Sequence, residues 1–173
     1  MLKRAKNRLA GVRAKTLLGI SCLVVGLIVG GLFLATRLCL YIETDQGKIM
    51  TIPVSKGDTF SLKYTHSVQK TPVAENFVIV AADELILDST VYQTYGVGLP
   101  FLPGEGRFER QGNNFVLTGL GRRFDKVAVH AGPEAGLVLE TDNQIVPLYT
   151  LHDGGAFVTI RVKPYYFRWF RND

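Results

Sequence analysis

Cysteine and histidine are scarce in this sequence, and their positions exclude two common kinds of site. The two cysteines are Cys22, inside a long apolar run, and Cys39, just beyond that run, so no disulfide framework is predicted. An intermolecular bridge through Cys39 and a buried cysteine at the start of a strand are the two open alternatives. The three histidines lack the His-x-His or His-x-x-x-His spacing of paired metal ligands, and we predict neither a metal site nor a cofactor.

Acidic residues are absent from the first 37 positions, which carry seven basic residues. The other 13 basic residues stand against all 15 acids, so residues 38–173 have a net charge of −2. The high pI of about 9.3 therefore reflects a short basic tail, residues 1–15. A weakly acidic folded part gives no electrostatic support for nucleic-acid binding, and we predict no nucleic-acid partner.

Residues 16–36 form an uncharged apolar run with no polar face. About 20 such residues cross a bilayer as a helix, so the run predicts one transmembrane helix. Six basic residues precede the run and one follows it, which predicts a cytoplasmic N-terminus and an extracytoplasmic domain after the span. A retained anchor is favoured over a cleaved signal peptide, because the run is longer than a signal-peptide core and no Ala-x-Ala site follows it.

Glycines mark one face of the predicted transmembrane helix. Gly26 and Gly30 form a Gly-x-x-x-Gly pair, and Gly19 lies seven residues before Gly26 on nearly the same face. Small residues in this spacing let a second helix approach closely. The pattern predicts packing against a partner helix or against the same helix of a second copy, with chance composition as the alternative.

No long helical pattern occurs in residues 38–163, where short apolar or alternating runs are separated by Gly, Asp, Asn and Pro. This predicts an all-β fold, a single antiparallel β-sandwich or barrel-like domain. Hairpin turns are expected at 45–47 and 142–143, and Pro53 and Pro147 indicate edge strands or bulges. The predicted strands are 38–44, 48–54, 59–68, 73–80, 84–92, 114–117, 126–130, 137–141, 144–149 and 156–162.

The most informative segment is residues 64–77, whose alternation predicts a β-hairpin with its turn at 69–72. A symmetric turn would place His66 directly opposite Glu75 on an otherwise apolar face, with Cβ atoms about 5 Å apart. This pair is either a satisfied polar contact that fixes strand register or a site for a ligand or partner. Ser67 would point to the opposite face from His66, so the two form no nucleophile and base, and we predict no catalytic residue.

Two further segments are unusual. Residues 96–106 contain four glycines and two prolines with apolar residues between them, which predicts an ordered loop that covers the sheet or rims a groove. Residues 164–173 form an aromatic and basic tail that is too short to cross a bilayer. Contact with the membrane interface and packing on the domain's own surface are equally favoured for its side chains Tyr165, Tyr166, Trp169 and Phe170.

The motif Tyr64-Thr-His-Ser-Val68, followed by Thr71-Pro-Val-x-Glu75 and Tyr95-Gly-Val-Gly-Leu-Pro100, resembles the bacterial domain-of-unknown-function family 1850. The resemblance covers most of residues 40–162. It implies a small protein with an N-terminal signal or anchor, encoded beside TRAP transporters of the TAXI type. It brings no activity, and the motif positions carry over without assigned roles: Tyr64, His66, Ser67, Glu75, Tyr95, Gly96, Gly98 and Pro100.

Three functional hypotheses follow. The first is a single-pass accessory protein of the bacterial cytoplasmic membrane, not an enzyme, whose periplasmic or extracellular β-domain binds a partner. The resemblance implies that this partner is the permease or solute-binding protein of a TAXI-type TRAP transporter for organic acids. The second is an envelope small-molecule binder or enzyme that uses His66 and Glu75. The third is a purely structural envelope domain.

Overall fold

The computed structural model describes residues 2–47, 49–94 and 106–169. The predictions made for Tyr95, Gly96, Gly98, Pro100 and Phe170 lie outside these residues. Trp169 is described for its backbone alone.

The first element is the 34-residue helix α1 (Leu2–Ala35). Thr36 closes its C-terminal end, because its backbone N–H and its Oγ1 both donate to the Leu32 carbonyl, at 3.1 and 3.0 Å. The Arg37 guanidinium then lies 5.2 Å from the centre of the Phe33 ring. Within the part of the chain that the structure describes, no helix combines the length and the hydropathy of a membrane span.

Eleven strands follow α1 within the described residues, and their pairings are antiparallel. They are β1 (Leu38–Thr44), β2 (Ile49–Pro53), β3 (Thr59–Thr65), β4 (Pro72–Ala81), β5 (Glu84–Tyr92), β6 (Arg107–Gln111), β7 (Asn114–Phe124), β8 (Val127–Ala131), β9 (Val138–Thr141), β10 (Ile145–Pro147) and β11 (Ala156–Pro164). Short 3-10 helices span Leu148–Thr150 and Tyr165–Trp169.

The strands form two sheets that share one apolar core. The four-stranded sheet has the order β2-β1-β11-β8, and the seven-stranded sheet has the order β10-β9-β3-β4-β5-β7-β6. Alternate side chains of each sheet point into the space between them, where Leu40 and Ile42 of β1 meet the same buried cluster as Leu62 and Leu139. The prediction of a β-rich, antiparallel fold is confirmed.

The prolines and turns of the two sheets lie where the sequence indicated. Pro53 ends β2 and Pro147 ends β10, and each of these strands is at the edge of its sheet. A proline has no N–H for a ladder hydrogen bond, which an edge strand tolerates. The predicted hairpins β1–β2 and β9–β10 are both formed.

Cys39 lies in β1 and is buried. Burial raises the pKa of its thiol above the ordinary value, because the thiolate would lose its hydration. Of the two alternatives for this cysteine, the structure favours the buried apolar one over an intermolecular bridge.

The aromatic segment after β11 folds back onto the outer face of the four-stranded sheet. Phe167 meets Tyr41 edge to face, with ring centres 5.4 Å apart. The charged groups of Arg161 and Lys163 lie 5.9 and 5.0 Å from the centre of the Phe167 ring, and Arg161 also pairs with Glu43 at 2.8 Å. Phe167 therefore packs on the domain's own surface.

Tyr165 and Tyr166 stay partly exposed beside the end of α1. The Tyr165 N–H donates to the Arg37 carbonyl at 2.7 Å, and the Tyr41 hydroxyl donates to the Tyr165 carbonyl at 3.1 Å. The segment after β11 is thus tied to the point where the chain leaves the helix.

Candidate functional site

The hairpin β3–β4 does not have the predicted register, and the prediction that His66 lies opposite Glu75 is wrong. Glu75 pairs with Leu62, and Tyr64 pairs with Val73. The observed register is shifted by four residues from the predicted one. Because side chains alternate between the two faces of a strand, a shift by an even number leaves Glu75 on the predicted face. The turn is longer than predicted, because the chain leaves the strand at His66.

His66 shapes this turn instead of facing a partner strand. Its backbone N–H donates to the Thr71 carbonyl and its carbonyl accepts from the Lys70 N–H, both at 2.9 Å. Its Nδ1 accepts the N–H groups of Val68 and Gln69, each at 3.2 Å, and the residue is 7% exposed. An Nδ1 that accepts carries no proton, so the neutral ring is protonated at Nε2. The imidazole does here what an Asn or Asp side chain does in an Asx turn.

Glu75 lies on the inner face of the seven-stranded sheet, close to Tyr64. The Tyr64 hydroxyl donates to Oε1 of Glu75 at 3.5 Å. Burial raises the pKa of Glu75 above its ordinary value, and the hydrogen bond from Tyr64 and the charge of Arg122 only partly oppose this. Burial, the Glu75 charge and the same hydrogen bond raise the pKa of Tyr64. Glu75 is therefore a carboxyl group that takes up a proton more readily than a surface carboxyl does.

Thr90 lies directly opposite Glu75, on β5. It is 0% exposed, and its Oγ1 has no hydrogen-bond partner among the described residues. A buried hydroxyl without a partner costs about 1–3 kcal/mol relative to one in water. Glu75 and Thr90 thus form a polar patch in a row of residues that runs across four strands. The neighbours on either side, Leu62 on β3 and Leu117 on β7, are apolar.

Ser67 and Lys70 lie in a groove of about 370 Å³ beside the β3–β4 turn. The opposite wall is the segment around the β8–β9 connection, and the Thr65 N–H donates to the Ala135 carbonyl at 2.8 Å to hold the two walls together. The groove is completed by His130, Gly132, Pro133, Glu134, Ala135 and Gly154.

A larger groove, of about 600 Å³, lies on the outer face of the seven-stranded sheet. Its charged groups are paired with each other, since Nζ of Lys63 lies 2.5 Å from Oε2 of Glu140. Its floor is apolar and includes Ala74, Val91 and Val138. Neither of these two grooves is lined by His66 or Glu75.

The structure thus distributes the predicted motif over two places. Tyr64 and Glu75 meet on the inner face, whereas Ser67 lines the smaller groove and His66 holds the turn between them. His130 and Glu134 were not predicted to be neighbours of Ser67. The only signal for them was the Ala-Gly-Pro turn after His130, which gives no indication of the loop that lies across from it.

Comparison with known proteins gives one family. Residues 60–148 match the family described as Domain of unknown function (DUF1850). No curated protein and no solved structure matches the chain significantly. The matched segment contains β4–β10 and nearly all of β3, and with them the whole β3–β4 turn and the smaller groove's Ser67, Lys70, His130 and Glu134. Because the match covers 89 of the 173 residues, the chain belongs to the family Domain of unknown function (DUF1850).

Proposed function

We propose that this chain is a single-pass protein of the bacterial cytoplasmic membrane whose β-domain lies outside the cytoplasm, binds a partner protein and carries out no reaction. The observation that carries the proposal is the surface of α1. Large apolar side chains between Leu17 and Leu34 are 47–68% exposed, and they lie on every side of the helix. A helix that is apolar all round is stable in a bilayer and unfavourable in water.

The charges and the helix end support the orientation. Residues 16–36 contain no charge, six basic residues precede them, and Arg37 follows them. Tyr165 and Tyr166 are partly exposed beside Arg37, where tyrosine rings and a guanidinium suit the interface between lipid and water. The residues just before and just after the β-domain would then both lie at the outer surface of the cytoplasmic membrane.

The proposed partner is the permease or the solute-binding protein of a TAXI-type TRAP transporter for organic acids. The support for this partner is the family resemblance in the motif around His66 and Glu75. The helix offers a contact surface, because a Cβ added at Gly19, Gly26 or Gly30 would meet nothing within 4 Å. A structural role in the envelope without a transporter is the competing proposal.

Membrane insertion is tested by extraction of cell membranes with alkaline carbonate, together with C-terminal reporter fusions. The protein should stay in the membrane pellet, alkaline phosphatase at the C-terminus should be active, and green fluorescent protein there should be dark. Recovery of the intact chain in the soluble fraction would refute the anchor. The opposite reporter pattern would refute the orientation.

The partner is tested by mild-detergent co-purification of the tagged chain from cells that express the neighbouring transporter genes. Transporter subunits should co-purify with the wild type, and Gly26→Leu and Gly30→Leu should reduce their yield at least fivefold if the glycine face is the contact. Gly31→Leu is the matched control, since it adds the same bulk about 100° further round the helix. A lone chain in the wild-type eluate would remove the transporter proposal and leave the structural one.

A further inference from the structure

We propose that the smaller groove, lined by Ser67, Lys70, His130 and Glu134, binds a small zwitterion that carries both a carboxylate and an ammonium group, such as a free amino acid. This site is additional to the partner-binding role, which needs no small ligand. It lies within the part of the chain that matches the family.

The groove has the size and the fixed walls of a binding site. Its volume of about 370 Å³ is within the usual range for small-molecule sites, about 300–1,000 Å³. The Thr65 N–H and the Ala135 carbonyl join the two walls at 2.8 Å. At the third side a Cβ on Gly155 would lie 2.9 Å from the Cα of Gly132, so the two backbones are in direct contact. The walls therefore hold their positions without a ligand.

The four polar side chains of the groove keep their hydrogen-bonding groups available, although the His130 ring packs edge to face against Phe157 with ring centres 5.0 Å apart. In the described parts of the chain, none of Ser67, Lys70, His130 and Glu134 makes a side-chain hydrogen bond or an ion pair, and all four are exposed. The larger groove differs in this respect, because Lys63 there is already paired with Glu140. The smaller groove therefore offers charges of both signs that a bound molecule can use.

These charges select the ligand. The Lys70 ammonium, the Ser67 hydroxyl and the His130 ring are suited to a carboxylate, and the Glu134 carboxylate is suited to an ammonium group. A ligand with only negative charge would be repelled by Glu134, and one with only positive charge would be repelled by Lys70. A molecule with both charges satisfies both residues.

The backbone at Lys70 gives a second indication. Its φ of 52° lies in the left-handed region, where glycine or asparagine is the ordinary choice in a turn. A lysine at this position is strained, and such strain concentrates at functional sites. The Nδ1 hydrogen bonds of His66 hold the turn that presents Lys70 and Ser67, which makes His66 a positioning residue.

The test is a calorimetric titration of the full chain in detergent with each of the twenty common L-amino acids, up to 10 mM. At least one should bind, and its N-acetyl and amide derivatives, which each lack one charge, should bind at least tenfold more weakly. Absence of binding by all twenty would overturn the proposal. Equal binding of the N-acetyl or the amide derivative would also overturn it, because one charge would then suffice.

Variants locate the site. Lys70→Asn removes the charge and suits the left-handed backbone, and Glu134→Gln keeps the shape of its side chain; each should weaken binding at least tenfold without lowering the melting temperature. Lys63→Gln and Glu140→Gln in the larger groove are the matched controls and should leave binding unchanged. Loss of binding in the controls together with retention in Lys70→Asn would place the ligand in the larger groove and refute the assignment.

Discussion

The Tyr64 hydroxyl lies 3.5 Å from the Glu75 carboxylate on the inner face of the seven-stranded sheet, and both groups are largely withdrawn from water. The two effects are opposite in sign: the hydrogen bond from Tyr64 lowers the pKa of Glu75 and so partly opposes burial, whereas the Glu75 charge and the same bond raise the pKa of Tyr64. Opposite Glu75 lies Thr90, whose buried hydroxyl has no hydrogen-bond partner within the described residues. This polar patch carries a stability cost that depends on pH, and its members can be tested separately.

Glu75→Gln should make the domain more stable at pH 7 than the wild type, and the advantage should shrink toward pH 4. The folded-state pKa of Glu75 lies above its ordinary value of 4.5, so the folded chain binds the proton more tightly than the unfolded chain. Stability from this group is therefore full below about pH 4.5 and is lost as pH rises through the folded pKa. Urea unfolding across this range measures it.

The control for Glu75→Gln is Asp153→Asn, which changes an exposed carboxyl in a turn. That variant should show no such dependence on pH. A Glu75→Gln protein that is less stable than the wild type at every pH would contradict the prediction, since it would mean that the ionised carboxylate stabilises the fold.

Tyr64→Phe should raise the pKa of Glu75 further. The hydrogen bond from Tyr64 favours the charged carboxylate, and its removal leaves burial less opposed. Titration of the Glu75 side-chain carboxyl carbon by NMR measures the shift. Tyr149→Phe is the control and should leave that titration unchanged, because Tyr149 lies in the 3-10 helix Leu148–Thr150 and is not among the groups that shift the pKa of Glu75. A lower Glu75 pKa in Tyr64→Phe would refute the assigned role of the hydroxyl.

His66→Ala should cost about 1–3 kcal/mol of unfolding free energy, because the Val68 and Gln69 N–H groups lose their acceptor. His66→Asn should recover more than half of the loss, since an amide oxygen accepts such N–H groups in Asx turns. Chemical denaturation compares the variants. His152→Ala, at an exposed turn position, should change stability by less than about 0.5 kcal/mol. Equal losses in His66→Asn and His66→Ala would mean that ring packing matters more than the Nδ1 acceptor.

Thr90→Val should stabilise the domain by about 1 kcal/mol, because a methyl group of the same shape replaces a buried hydroxyl that has no partner in the part of the chain that the structure describes. Thermal unfolding measures the change. Thr71→Val is the opposite case, since its Oγ1 lies 2.9 Å from Oγ1 of Thr94 and the pair would be lost. That variant should be destabilised. A destabilised Thr90→Val protein would show that the hydroxyl has a partner such as a bound water.

Strands that are apolar on one face were predictable from the sequence, and β1 and β5 have the predicted ends. The strand β6 was missed, because Arg107-Phe-Glu-Arg-Gln111 offers a single apolar residue and pairs at the sheet edge. The strand β7 is longer than predicted. Gly119 and Gly121 adopt positive φ values of 67° and 61°, which breaks the alternation on which the prediction relied. Beyond these glycines, pairing with β5 resumes.

The candidate site was predictable only in part. Period-two alternation correctly placed Glu75 among apolar neighbours, because the face of a strand residue depends on its own strand alone. The partner of Glu75 depends on the length of the turn. That turn is held by hydrogen bonds from the Val68 and Gln69 N–H groups to Nδ1 of His66, which no sequence pattern indicates. A register four residues away satisfies the same alternation, so the pattern could not choose between the two.

The sequence by itself determined the apolar run before residue 38, the charge asymmetry around it, the β-rich class, the edge positions of Pro53 and Pro147 and the family of the chain. These follow from composition and local periodicity, which do not depend on distant residues. Tertiary structure alone decided that Tyr64 meets Glu75 and that Ser67 and Lys70 share a groove with His130 and Glu134. The groove joins segments about 60 residues apart in the chain, which only the packing of strands and their connecting turns brings together. The Tyr64–Glu75 contact spans 11 residues and depends on the register of β3 against β4.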